Sequence, residues 1–251
     1  MSIYSTIRHR VITLGIVIVL FLGMFQNAYG AYGIVFNASS TSSVNPGNSL
    51  AYALSCSGSD RIAFVHAEHN GGTTTTMSAT YGGIATTKIG QVQSPSSNYY
   101  QNLFYLTKPP SSSNNVVVTT NDATKFIGSA ALCYSGAADV QPNIISAAAS
   151  STATSVTSST LTVTSATNNS WAIMAGGANQ TISGNAISTL RREITTFDPG
   201  AGMFDNNGPI SPAGATSTKI TLGSSGDVGI IATIFAPETG KTRIKGRGAS
   251  R

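Results

Sequence analysis

The chain has 251 residues, of which 9% are charged, and a formal net charge of +5. So low a charge content, against about 25% in ordinary soluble proteins, leaves solubility to Ser, Thr, Asn and Gly and argues against a cytoplasmic enzyme. The positive excess sits at the two ends, in Arg8 and Arg10 and then in Lys241, Arg243, Lys245, Arg247 and Arg251. Between Ala31 and Glu238 seven basic residues meet nine acidic ones, so the body lacks the basic footprint of a nucleic-acid binder.

In chain order, Arg8, His9 and Arg10 precede an apolar run over residues 11–25 that ends at Ala28-Tyr29-Gly30. A positive start, a short apolar core and small residues at positions 28 and 30 predict a signal peptide helix over 1–30, cut between Gly30 and Ala31. Retention as an anchor is the alternative, and the protein then meets a membrane only through this segment. A spanning helix needs about 20 apolar residues, and the run has fifteen, which favours cleavage. The export signal predicts a secreted or cell-surface location.

From Gly33 onward, short β-branched and aromatic runs alternate with Gly, Pro, Asn and Ser, the pattern of strands and turns. Runs fall at 33–37, 49–56, 61–66, 75–81, 85–89, 102–107, 115–120, 126–134, 160–165, 170–176, 189–196, 218–222 and 228–235. Strands so short and so regularly spaced predict an all-β fold, an antiparallel, jelly-roll-like β-sandwich over 31–238. Leu50, Tyr52, Leu54 and Cys56 share one face of a half-buried strand, whereas 230–235 is apolar on both faces and reads as a central strand. Gly82 and Gly83 supply the positive φ angles of a tight hairpin. The Ser, Ala, Thr and Val stretch over 146–159 reads as a long surface connection, and 239–251 as a disordered basic tail.

Cys56 and Cys133 are the only cysteines. An oxidising compartment allows one disulfide between them, and two buried thiols are the alternative.

The succession Met77 to Ile89 around Tyr81-Gly82-Gly83, then Leu103 to Pro110, Val116 to Thr119 and Ile127 to Gly136, resembles a β-sandwich module of exported bacterial and archaeal surface proteins and of some viral proteins. The resemblance covers residues 60–180 at most. It implies fold and surface location and carries no catalytic residues.

Residues that could carry chemistry are few. His66, Glu68 and His69 lie close together, with His66 and Glu68 on one face of a strand and His69 on the other, so a metal site needs a further ligand from elsewhere. Asp205 lies in a stretch rich in Asp, Asn and Gly over 198–208 that suits calcium in its oxygen donors but departs from the EF-hand order. Tyr99 and Tyr100 follow a polar loop and suit sugar stacking or adhesion, the alternative being that they start the next strand. No Gly-x-Ser-x-Gly elbow is present, and the sequence alone pairs no two carboxylates for glycoside hydrolysis. These features predict no cofactor other than calcium, and glycans or other surface proteins as partners. The expected function is an exported non-enzymatic β-sandwich in adhesion or carbohydrate binding. A structural protein of an envelope layer or virion and a carbohydrate-active hydrolase are the alternatives.

Overall fold

A computed structural model describes residues 33–72, 75–95, 99–138, 145–194 and 200–238. The signal segment with its Gly30/Ala31 cut, the tail 239–251, Asp139 and Asp198 lie outside the described residues. What is described is an antiparallel β-sandwich without a helix, built from three sheets.

The first half of the chain supplies two of these sheets. One has the order β1 (Val35–Val44), β9 (Ile127–Ser135), β3 (Ile62–His69), β7 (Tyr100–Thr107) and β6 (Thr87–Gln93). The other runs β2 (Ser49–Cys56), β8 (Ser112–Thr120), β4 (Met77–Tyr81) and β5 (Ile84–Ala85). The second half forms the third sheet, in the order β10 (Ile145–Thr164), β15 (Ala215–Phe235), β11 (Trp171–Ala178), β14 (Gly200–Asp205) and β13 (Thr189–Ile194). The short β12 (Ile182–Ser183) also pairs with β15.

The sheet containing β3 is the middle layer, and the period-two geometry of a strand explains why. Along β3, Ile62 and Phe64 point into a core shared with β11, β14 and β15. Ala63, Val65 and Ala67 point the opposite way, into a core shared with β2, β4 and β8. A strand covered on both faces reads as buried at every position, as β3 does from Ile62 to His69. By contrast β2 alternates exposed and buried, with Leu50, Tyr52, Leu54 and Cys56 inward. Each such large side chain removed from water contributes about 1.5–3 kcal/mol.

Cys56 and Cys133 are bonded, with Cα atoms 5.6 Å apart, and tie β2 of one layer to β9 of the next. At the predicted hairpin, Gly82 and Gly83 have φ of 59° and 78°, values that favour glycine. The preceding Tyr81 is buried and donates its hydroxyl to Leu54 O at 2.9 Å, which locks the hairpin onto β2.

Three expectations change. The stretch 146–159 is not a surface connection; it belongs to the strand β10. Its partner β15 is one continuous strand where two are expected at 218–222 and 228–235. The ladder between them shifts register between Ala153 and Ser158. There Ser155 has φ of 53°, and its N–H donates to Asp227 Oδ1 at 2.9 Å. Beyond this break Leu161, Val163, Ile220 and Leu222 pack onto Ala172, Met174, Ile230 and Ala232, covering the outer face of the third sheet. Last, the stretch read as a loop around Asp205 contains β14, buried throughout.

Candidate functional site

The chemistry-bearing residues gather where β3, β7 and β9 lie side by side. Glu68 is paired with Gln101 of β7 and Gly128 of β9, and His66 with Leu103 and Ala130. His66 and Glu68 therefore face the third sheet together with Gln101, while His69, Tyr100 and Asn102 face the sheet of β2. His66, His69, Gln101 and Asn102 are wholly buried, and Glu68 is 1% exposed.

Sequence reasoning missed Gln101 and Asn102, two amides inside an otherwise apolar and aromatic strand. His66 Nε2 lies 2.6 Å from Gln101 Oε1. A neutral ring that donates from Nε2 to this amide oxygen leaves His66 Nδ1 as an acceptor, and it has no partner; nor has Gln101 Nε2. Gly177 of β11 makes the sheet-to-sheet approach possible, because a Cβ there would collide with the Gln101 amide. Ser94 closes the edge of this contact by donating its hydroxyl to Gly177 O at 3.0 Å.

On the opposite face the His69 ring stacks on Tyr100, with centroids 5.0 Å apart and planes at 6°. Its Nδ1 accepts the Gly71 N–H at 3.0 Å, so the proton sits on Nε2, which is buried without a partner. Asn102 donates to Ala67 O at 3.3 Å, leaving its Oδ1 without a partner. Ser129 connects the two sides by donating to His66 O at 2.8 Å and sharing a 2.7 Å hydrogen bond with Tyr52.

Burial disfavours the charged form of both rings. It pushes the pKa of His66 down to about 4, against a smaller upward effect of Gln101. It pushes His69 to about 4 as well, reinforced by the Lys88 charge and opposed by Asp122. Both histidines are therefore neutral near pH 7. Both rings are closed off from solvent.

Asp205 stands elsewhere. Its Oδ2 accepts from Tyr134 Oη at 2.7 Å and from Arg191 Nε at 2.7 Å, and its Oδ1 from the Asn207 N–H at 2.9 Å. Tyr134 lies opposite Ile62 on the middle sheet, six residues along β3 from Glu68, or about 20 Å at the usual strand rise. The structure thus does not join Asp205 to His66 and Glu68, because its place on β14 aims it at Tyr134. Among the described residues, no three His, Cys, Asp or Glu side chains come together to hold a metal ion. Arg191 also lies over the Phe36 ring at 4.6 Å, and its role in holding Asp205 had no signal in the spacing of the sequence.

The two tyrosines separate. Tyr100 is 5% exposed and occupied by His69, so it is a core residue where an exposed sugar-stacking group was expected. A strand buried on both faces leaves no outward position for it. Tyr99 remains half-buried beside it. Compared with known proteins, the chain matches no family model and no curated sequence.

Proposed function

We propose that the protein is an extracytoplasmic, non-enzymatic β-sandwich that acts at a surface, through adhesion or carbohydrate binding. One observation carries this reading: His66, Glu68, His69, Tyr100 and Asp205 are turned into the interlayer cores. The exposed positions of β2, β8 and β10 carry small, hydroxyl and amide side chains. Such a surface forms many neutral hydrogen bonds with a polyhydroxylated partner and has little charge to discriminate among ions. The Cys56–Cys133 bond and the apolar segment at 11–25 support a secreted or cell-surface location. Glycan-array binding by the full chain, with and without calcium, tests the proposal. Saturable binding with no change to the glycan is expected; turnover of a bound glycan would make the protein a hydrolase instead.

A second reading, a structural subunit of an envelope layer or virion, is favoured by the absence of charge along β10. Self-assembly into particles or sheets without glycan binding would select it.

A further inference from the structure

β10 ends the third sheet. It is paired with β15 along one side, and among the described residues no strand is paired with the other. A strand so placed presents a row of backbone N–H and C=O groups that can pair with a further strand. Natural edges are usually blunted by charge, shortness, a bulge or a covering segment.

The other edges of this protein carry such protection. β6 holds Lys88 and a register shift between Lys88 and Gly90. β13 holds Arg191, Arg192 and Glu193 and its own shift. β5 has two residues, and the edge strands β1 and β2 pack against each other across a short turn. β10 runs for 20 residues without a charged side chain. It lies in a stretch, residues 140–190, with no Asp, Glu, Lys, Arg or His at all. Its ladder to β15 shifts register after Ile145 and on both sides of Val156, where Ser155 forms a kink, so that what sets this edge apart is its length and its lack of charge.

We propose that the free edge of β10 is an interface at which a second copy of the chain adds its own β10, antiparallel, about a two-fold axis. A second copy fits for two reasons. A strand paired with itself about a two-fold axis sets each residue against a residue of the same strand, so charges of one sign along it would repel their copies, and β10 has none. Its exposed side chains, among them Thr152, Thr157 and Thr162, also suit cross-strand hydroxyl pairing. The pairing would join the third sheets of two molecules into one continuous sheet. The inference concerns assembly alone and does not depend on whether a glycan is bound.

Analytical ultracentrifugation of the full chain over a concentration series tests this, with two triple variants. One carries Thr152→Lys, Thr157→Lys and Thr162→Lys, and the other carries Glu at the same three positions. These side chains are exposed and spaced along both parts of the strand, so like charges come close together wherever the axis falls between them, and an unchanged far-ultraviolet circular dichroism spectrum verifies folding. The expected result is a doubling of mass in the natural chain, at least a tenfold weakening of association in each variant, and recovery of the dimer when the two variants are mixed. A natural chain that stays monomeric at millimolar concentration overturns the proposal. So does a dimer indifferent to both variants, or failure of the mixture to recover. Binding of an unrelated strand-forming peptide by a monomeric chain also overturns it, in favour of a foreign partner.

Discussion

The middle sheet buries polar groups at both of its ends, and the two ends treat them differently. Around Tyr134, the Asp205 carboxylate accepts three hydrogen bonds, from Tyr134, Arg191 and Asn207. Close by, Cys133 bonds covalently to Cys56 in the sheet on the other side. That end of the middle layer is fastened to both neighbours. At the Glu68 end, six residues further along β3, the same two interlayers enclose His66, Gln101, His69 and Asn102 with one polar atom each left without a partner. A buried polar network stabilises when it is fully satisfied and costs free energy where it is not. One layer thus contains an end cross-linked to both neighbours and an end whose buried polar atoms are only partly bonded to other protein groups, and burial of polar groups alone distinguishes neither.

Perturbing the cross-linked end gives the largest effects. The disulfide closes a loop spanning 77 residues, for which loop-closure entropy predicts a contribution of about 4.5 kcal/mol. Denaturant unfolding of the Cys56→Ser, Cys133→Ser double variant measures it, and a loss below about 1 kcal/mol would mean that the unfolded chain is already compact. Asp205→Ala removes the acceptor of both Tyr134 and Arg191 and leaves a partly buried cation unpaired. The expected cost is 3 to 5 kcal/mol, with Tyr134→Phe costing roughly 1 kcal/mol. Equal costs for the two variants would show that the Arg191 hydrogen bond to Asn207 Oδ1 at 2.6 Å holds the guanidinium without Asp205.

Much of the fold is legible in the sequence, for identifiable reasons. β2 is recovered at its observed limits because one of its faces meets solvent, so that burial is written as alternation. The Tyr81 hairpin is recovered because its backbone needs two glycines. β14 was hidden because glycine and Asp imitate a loop. The structure shows that Gly202 is small so that β14 can pass close to the backbone of β13, where a Cβ would meet Arg192 O at 2.7 Å. β10 was hidden because Ser and Ala dominate its first half, and its pairing with β15 outweighs their low intrinsic preference for strands. The third layer is a matter of which strands share a core, which periodicity does not record.

Less of the candidate site was legible. Placing His66 and Glu68 on one face and His69 on the other follows from strand geometry, and the structure keeps that division. Whether such residues face solvent or a second sheet depends on what covers the strand, and here both faces are covered. Tyr100 lies inside for the same reason: it begins β7, the alternative to an exposed loop position, and its pairing with His69 across β3 and β7 puts that ring in the core.

The claim that His66 and His69 are neutral core groups has a direct measurement in the NMR titration of their rings in the full chain, with a parallel stability curve against pH. With folded pKa values near 4 and an unfolded value of about 6.5, both states are neutral well above pH 6.5, and stability there is independent of these rings. As pH falls from about 6.5 towards 4 the unfolded chain takes up protons that the folded one refuses. Stability then declines, by on the order of 3 kcal/mol for His66 alone. The predicted result is ring resonances that stay constant from pH 8 to about 5.5 and ignore added zinc or calcium. A midpoint near 6.5, or a shift on adding either metal, would contradict it and return these residues to solvent and to chemistry.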